Sequence, residues 1–174
     1  MAPTVRRTQA PRGKTPVLKQ KAACREKVSV IAALTLAPRR NRLGMYFRTR
    51  PKGYFDSEAV AGFLRELLRH LRGKVIVIWD NGSMHKGDPV RAVLRAFPRL
   101  TLERLPPYAP DLNPVEWLWS YLKYGEMANF APRDAAHLDA VVTGHLEAIR
   151  RQPQRMKGFY DGAKIPLLDR VQPT

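Results

Sequence analysis

The chain has 174 residues, 31 of them Lys or Arg and 15 Asp or Glu, giving a formal net charge of +16 and a pI near 10.7. That length suits one domain burying roughly 70% of its unfolded surface, and the basic surplus favours a polyanionic partner, because each neutralised phosphate releases condensed counterions. A single cysteine, Cys24, excludes an intrachain disulfide and a Cys-rich zinc site; the longest apolar run, Val28 to Pro38, is far short of the ~20 residues that span a bilayer, so the expectation is a soluble, cytoplasmic protein without a membrane partner.

Residues 1–27 hold eight basic residues and one acid, Glu26, with Pro3, Pro11, Gly13 and Pro16 interrupting any periodicity, so this segment reads as an irregular basic arm. Apolar residues then alternate at Val28, Val30, Ala32, Leu34 and Leu36, and after a PRRN break again at Leu43, Met45 and Phe47, the pattern of an antiparallel hairpin. Asp56 or Ser57 caps an amphipathic helix whose Val60, Phe63, Leu64, Leu67, Leu68 and Leu71 share one face, with Gly73 as the stop. The continuous apolar run VIVIW predicts a strand covered by helices on both faces, ending at Asp80-Asn81-Gly82. Asp88 and Pro89 open a second helix, with Val90, Val93, Leu94 and Phe97 on one face, and Leu100 to Arg104 reads as another strand.

The loop LPPYAPDLNP leads into a third helix with Asn113 as N-cap, Pro114 at its first position, and Val115, Leu118, Trp119 and Leu122 at core spacing. Gly125 weakens or ends it. A last helix carries Leu138, Val141, Val142, Leu146 and Ile149, and a Pro-containing basic tail follows. The expected division is an arm over 1–27, a domain over 28–152 and a tail over 153–174. Antiparallel strands followed by strand–helix alternation predict an α/β fold, a mixed sheet flanked by helices, with ligands gathering beyond the carboxyl ends of its parallel strands.

Asp80 stands at such an end, on a rigid strand, where it suits a cation; Asp-Asn-Gly is equally a turn tripeptide. Glu116 has its own structural explanation, since Asn113-x-x-Glu116 is close to a capping box. That box leaves unexplained why Pro106, Pro107, Pro110 and Pro114 fix the chain into the first turn. The two acids lie 36 positions apart, separated by one short helix and one strand, so both can face one cleft. Two or three such carboxylates hold a pair of Mg²⁺ ions about 3.5–4 Å apart, the arrangement that phosphodiester cleavage and strand transfer require.

VIVIWDNGSMHKG followed by LPPYAPDLNPVEWLWSYLK resembles the second and third acidic motifs of mariner-superfamily DDE transposases, in the branch found in bacterial insertion sequences. RRTQAPRGKTPVL and NFAP at 129–132 are similar to that branch as well, so the resemblance covers nearly the whole chain. It implies a ribonuclease-H-like fold, Asp80 and Glu116 as metal-binding catalytic carboxylates, two Mg²⁺ or Mn²⁺ ions in the complete site, and DNA cleavage and joining without a covalent intermediate. Asn81, His85 and Asn113 are the supporting residues it points to. The family's first acidic strand precedes the segment resembling RRTQAPRG, where only Met1 to Val5 stand here, so the first strand is expected to be missing or incomplete. Glu26 and Asp111 are poor substitutes for its Asp.

Arg39, Arg40, Arg42, Arg48, Arg50 and Lys52 surround the hairpin, and with Lys86 and Lys123 are the candidate phosphate contacts; a solvated basic rim is the alternative. His137 and His145 are eight positions apart, too far to share one metal ion. Trp117 lies off the core face of its helix, either open to DNA or covered by a neighbouring helix. The leading expectation is therefore a transposase catalytic fragment, inactive alone for want of the first Asp. Its partners are DNA and either a second copy or an upstream transposase half, and its home is the bacterial cytoplasm, on the nucleoid when bound. The rivals are a noncatalytic DNA-binding or transposase-inhibiting module and a stand-alone ribonuclease-H-like nuclease.

Overall fold

A computed structural model describes residues 11, 12, 14, 27–37 and 42–165. Cys24, Glu26, Arg39 and Arg40 lie outside the described residues. Strands β1 (Val28–Ala37) and β2 (Arg42–Pro51) pair antiparallel with Leu34 opposite Met45 and Ile31 opposite Arg48, as the two alternating runs require. Helix α1 (Ser57–His70) is capped by Asp56, whose carboxylate accepts the Ala59 N–H at 2.8 Å. It stops at His70, earlier than the pattern through Leu71 implied: Leu71 is extended, and Gly73 takes φ +78°, a conformation in which a Cβ is strained. Strands β3 (Val75–Trp79) and β4 (Leu100–Arg104) run parallel, joined by helix α2 (Asp88–Ala96). Helix α3 (Pro114–Tyr121) passes into one π turn, Leu122–Glu126, around Gly125. Helices α4 (Ala135–Arg150) and α5 (Pro153–Gly162) close the chain.

Strand periodicity sends successive side chains of β1 into different cores. Val28, Val30, Ala32 and Leu34 pack with Met45, Leu118, Leu122, Leu138, Leu146 and Phe159, a core shared with α3, α4 and α5. Ile31 points the other way, onto a second core made by α1, α2, β3 and β4, where Val60, Leu64, Val75, Val93 and Leu100 are buried. The segment expected as a tail supplies a helix, α5, whose Met156 and Phe159 enter the first core. The periodicity after Pro153 is too short to announce it.

The one departure at β3 is the expectation that helices cover both of its faces. Val75, Val77 and Trp79 face the second core, but Ile76 and Ile78 are 65% and 61% exposed, so only one face of this strand is covered. Among the described residues β3 is hydrogen-bonded to β4 alone and β1 to β2 alone, so the antiparallel and parallel strand pairs of the expected α/β fold are described as two pairs. A continuous apolar run reports a strand suited to burial on both faces; it does not report whether the covering elements are present. No described helix is long and apolar enough to cross a membrane.

Candidate metal centre

Asp80 follows the last residue of β3, and the loop carrying Pro106, Pro107 and Pro110 follows β4. The two ends are locked together, because Leu105 N–H donates to Trp79 O at 2.8 Å and Asn81 Nδ2 donates to Leu105 O at 3.2 Å. This places Asp80 and Glu116 on the walls of one cleft of about 160 Å³, lined also by Asn81, Asn113 and residues 105–110.

Both structural explanations for these acids are tested by the hydrogen bonds. For Asp80 the turn is real: Gly82 N–H donates to its Oδ1 at 2.9 Å, and His85 Nε2 lies 3.1 Å from the same oxygen. Oδ2 has no hydrogen bond among the described residues. For Glu116 the capping box is not formed. Asn113 does cap α3, its side chain accepting the Val115 N–H at 3.1 Å, but the Asn113 backbone N–H that a capping-box glutamate would bind donates instead to Pro110 O at 2.9 Å. The Glu116 carboxylate is therefore free of that duty, and no hydrogen bond to it is found among the described residues.

The electrostatics of the cleft match this geometry. Burial pushes the Glu116 carboxyl above its ordinary range, and the neighbouring Asp80 charge pushes it further the same way. Among the described residues no Lys or Arg lines the cleft to relieve the pair. Two carboxylates so placed attract a hard cation that takes oxygen ligands. The fit is partial, since no group of three or more His, Cys, Asp or Glu side chains is arranged to hold a metal among the described residues. Asp111 does not supply the third: it sits exposed in the short turn Pro110–Leu112, and its backbone oxygen accepts Trp117 Nε1–H at 3.3 Å.

His85 stacks on Trp79 with ring centroids 4.4 Å apart, and its Nδ1 is buried without a partner among the described residues. Burial lowers its pKa; the Asp80 charge and hydrogen bond oppose this without overcoming it. A neutral ring donating its Nε2–H in a hydrogen bond to Asp80 Oδ1 fixes that carboxylate without adding charge to the cleft.

The candidate phosphate contacts do not form one set. Arg48 pairs with Glu66 of α1 at 2.5 Å, and Arg50 donates to Tyr54 O at 2.6 Å with its guanidinium 5.4 Å from the Phe55 ring centroid. Lys123 lies over the Tyr124 ring at 5.2 Å. Arg42, Lys52 and Lys86 are exposed, and their side chains have no partner among the described residues. Trp117 is 41% exposed and packs on α5, where a Cβ on Gly162 would come within 2.7 Å of its ring. Of the other histidines, His70 stacks on Tyr46, His137 Nδ1 accepts the Arg133 N–H at 3.1 Å, and His145 faces Glu126 at 3.4 Å. One cleft residue had no signal of its own in the sequence: Tyr108, whose φ of +58° no local pattern foretells.

The family model of the DDE superfamily endonucleases matches residues 1–138. An uncharacterized protein of Sinorhizobium fredii is 32% identical over 92 residues, which is 52% of this chain and 63% of that protein. Among solved structures, a Mos1 strand transfer complex is similar over 98% of this chain and 48% of its own, at a TM-score of 0.61 and 16% identity. The Mos1 transposase paired-end complex with the left transposon end gives 98% and 49%, with TM-score 0.63 and 17% identity. The catalytic domain of Mos1 mariner transposase is covered to 78% by 83% of this chain, with TM-score 0.54 and 16% identity. The chain thus has a ribonuclease-H-like fold and spans about half the length of the Mos1 chains in the two complexes.

Proposed function

We propose, from the premise that this chain belongs to the DDE superfamily endonucleases, that it is most of the catalytic domain of a mariner-type transposase acting in DNA cleavage and strand transfer. The observation carrying this reading is the pair Asp80 and Glu116: two acids from separate elements in one cleft, with no Lys or Arg lining it among the described residues and with Glu116 released from the capping box. Asp80 and Glu116 would hold Mg²⁺ or Mn²⁺, two ions in the complete family site. Bound there, the ions would activate a water or DNA 3′-hydroxyl and stabilise the leaving oxygen of an in-line displacement. The chain's own contribution is to fix the two carboxylates, Asp80 through the Gly82 and His85 hydrogen bonds and Glu116 through the Asn113 cap on α3. Arg42, Lys52 and Lys86, with the other basic residues named above, would contact phosphates, and the protein would act on the bacterial nucleoid.

The same reading makes the isolated chain incomplete. Among the described residues β1 and β3 each have one unpaired edge, and these edges with the exposed Ile76 and Ile78 suit an added strand bringing a further carboxylate, from an upstream transposase half or a second copy. Two carboxylates acting without the third retain little of the activity of a unit that works together. Supercoiled plasmid with Mg²⁺ or Mn²⁺ is therefore expected to show negligible nicking by the chain alone; robust nicking abolished by Asp80→Ala would contradict the incompleteness.

The absence of a third acid at the cleft among the described residues also favours a second reading, a noncatalytic DNA-binding or transposase-inhibiting module. It is separated by DNA affinity: salt-sensitive binding unchanged by Asp80→Ala or Glu116→Ala supports it, and loss of affinity in those variants counts against it.

A further inference from the structure

We propose that the Tyr108 ring is a stacking platform for an unpaired DNA base beside the phosphate held at the Asp80–Glu116 cleft, an inference that rests on the function proposed above. Tyr108 is fully exposed, with a relative exposure of 104%, and neither its ring nor its hydroxyl has a partner among the described residues. A lone exposed aromatic is ordinary. Three features set this one apart.

The first is backbone cost. Tyr108 takes φ +58°, the left-handed region that a bulky side chain seldom adopts, and such strain persists where surrounding structure holds it, most often at functional sites. The second is rigidity. Pro106, Pro107 and Pro110 restrict the loop, the Asn81–Leu105 hydrogen bond anchors its start, and the Trp117 indole N–H to Asp111 O anchors its end. The ring is thus presented on a frame ordered before any ligand arrives, with only its own two side-chain torsions to settle. The third is position: Tyr108 lines the same cleft as Asp80 and Glu116, so a base stacked on it belongs to a nucleotide near the reacting phosphate.

The net charge of +16 selects the ligand, since a nucleic acid satisfies both the basic surface and an exposed π-face, whereas an apolar protein partner satisfies only the second.

The test uses the full chain and a short duplex carrying 2-aminopurine, either paired or opposite an abasic site, with affinity followed by fluorescence anisotropy and stacking by 2-aminopurine quenching. Unpaired DNA should bind about tenfold tighter than paired DNA and be quenched. Tyr108→Ala should remove both the preference and the quenching while keeping the affinity for paired DNA, and Tyr108→Trp should keep both. Equal binding of the two DNAs, or a preference and quenching unaltered in Tyr108→Ala, would overturn the stacking role and leave the proposed function standing. Binding of neither DNA would overturn the proposed function, and the stacking role with it. Equal affinity of Tyr108→Ala and Tyr108→Trp for unpaired DNA would point to a steric or protein-contact role for the loop and also overturn the proposal.

Discussion

At the level of single residues, the molecule separates acids that serve the fold from acids that do not. Asp56 and Asp134 accept backbone N–H bonds at the starts of α1 and α4, and Asp88 is held below the usual carboxylate range by Arg91 beside it. Glu116 has no such partner and is pushed the opposite way. Tyr160 shows the same contrast for a phenol. It is 6% exposed, its hydroxyl has no partner among the described residues, and burial raises its pKa above the ordinary value of 10.0. A raised pKa means the folded state keeps its proton longer than the unfolded state. The sign follows: stability is intact below the unfolded value near pH 10 and is lost as pH rises beyond it. Tyr160→Phe is expected to stabilise the protein by about 1 kcal/mol at pH 7 in urea unfolding, because it removes an unpaired buried hydroxyl. The advantage should widen above pH 10; a loss of stability would show that the hydroxyl is bonded.

At the level of elements, α3 ties the fold to the site. Leu118 is fully buried in the first core, as is Leu122 in the π turn that follows, while Glu116 in the first turn of α3 faces the cleft. The direction of Glu116 therefore depends on how α3 starts. Asn113→Ala should cost about 1 kcal/mol of stability through the lost cap. It should also weaken Mn²⁺ binding, whereas Asn113→Asp, which keeps an accepting oxygen, should retain most of both. Equal Mn²⁺ affinity in the chain and Asn113→Ala would detach the cap from the site. Asn113 and Pro114 made this helix start legible in the sequence, as did the alternation of β1 and β2 and the apolar steps of α1. The direction of Glu116 was not legible, because Asn-x-x-Glu is written identically whether the glutamate closes a capping box or faces a cleft. What decides is the Asn113 N–H, taken by Pro110 O through a turn that no pattern in the loop displays.

At the level of the whole molecule, the charge of the chain and the charge of the cleft have opposite signs. The chain carries a net charge of +16, yet among the described residues no Lys or Arg lines the cleft that holds Asp80 and Glu116, so the two carboxylates there are open to a cation while the basic surplus favours phosphate. Asp80 and Glu116 were readable as a pair from their spacing and surrounding motifs, and a strand end and a helix start bring both to one cleft. The open face of β3 was not readable, since Ile76 and Ile78 look the same in sequence whether or not a neighbour covers them. The pairing of the two acids is tested most directly by titrating Mn²⁺ into the chain and into Asp80→Asn and Glu116→Gln, with binding followed by calorimetry. Weak binding to the chain, reduced at least about tenfold in each variant as for a ligand of a shared ion, is the expected result. An affinity that neither substitution changes would contradict the assignment of Asp80 and Glu116 to one metal centre.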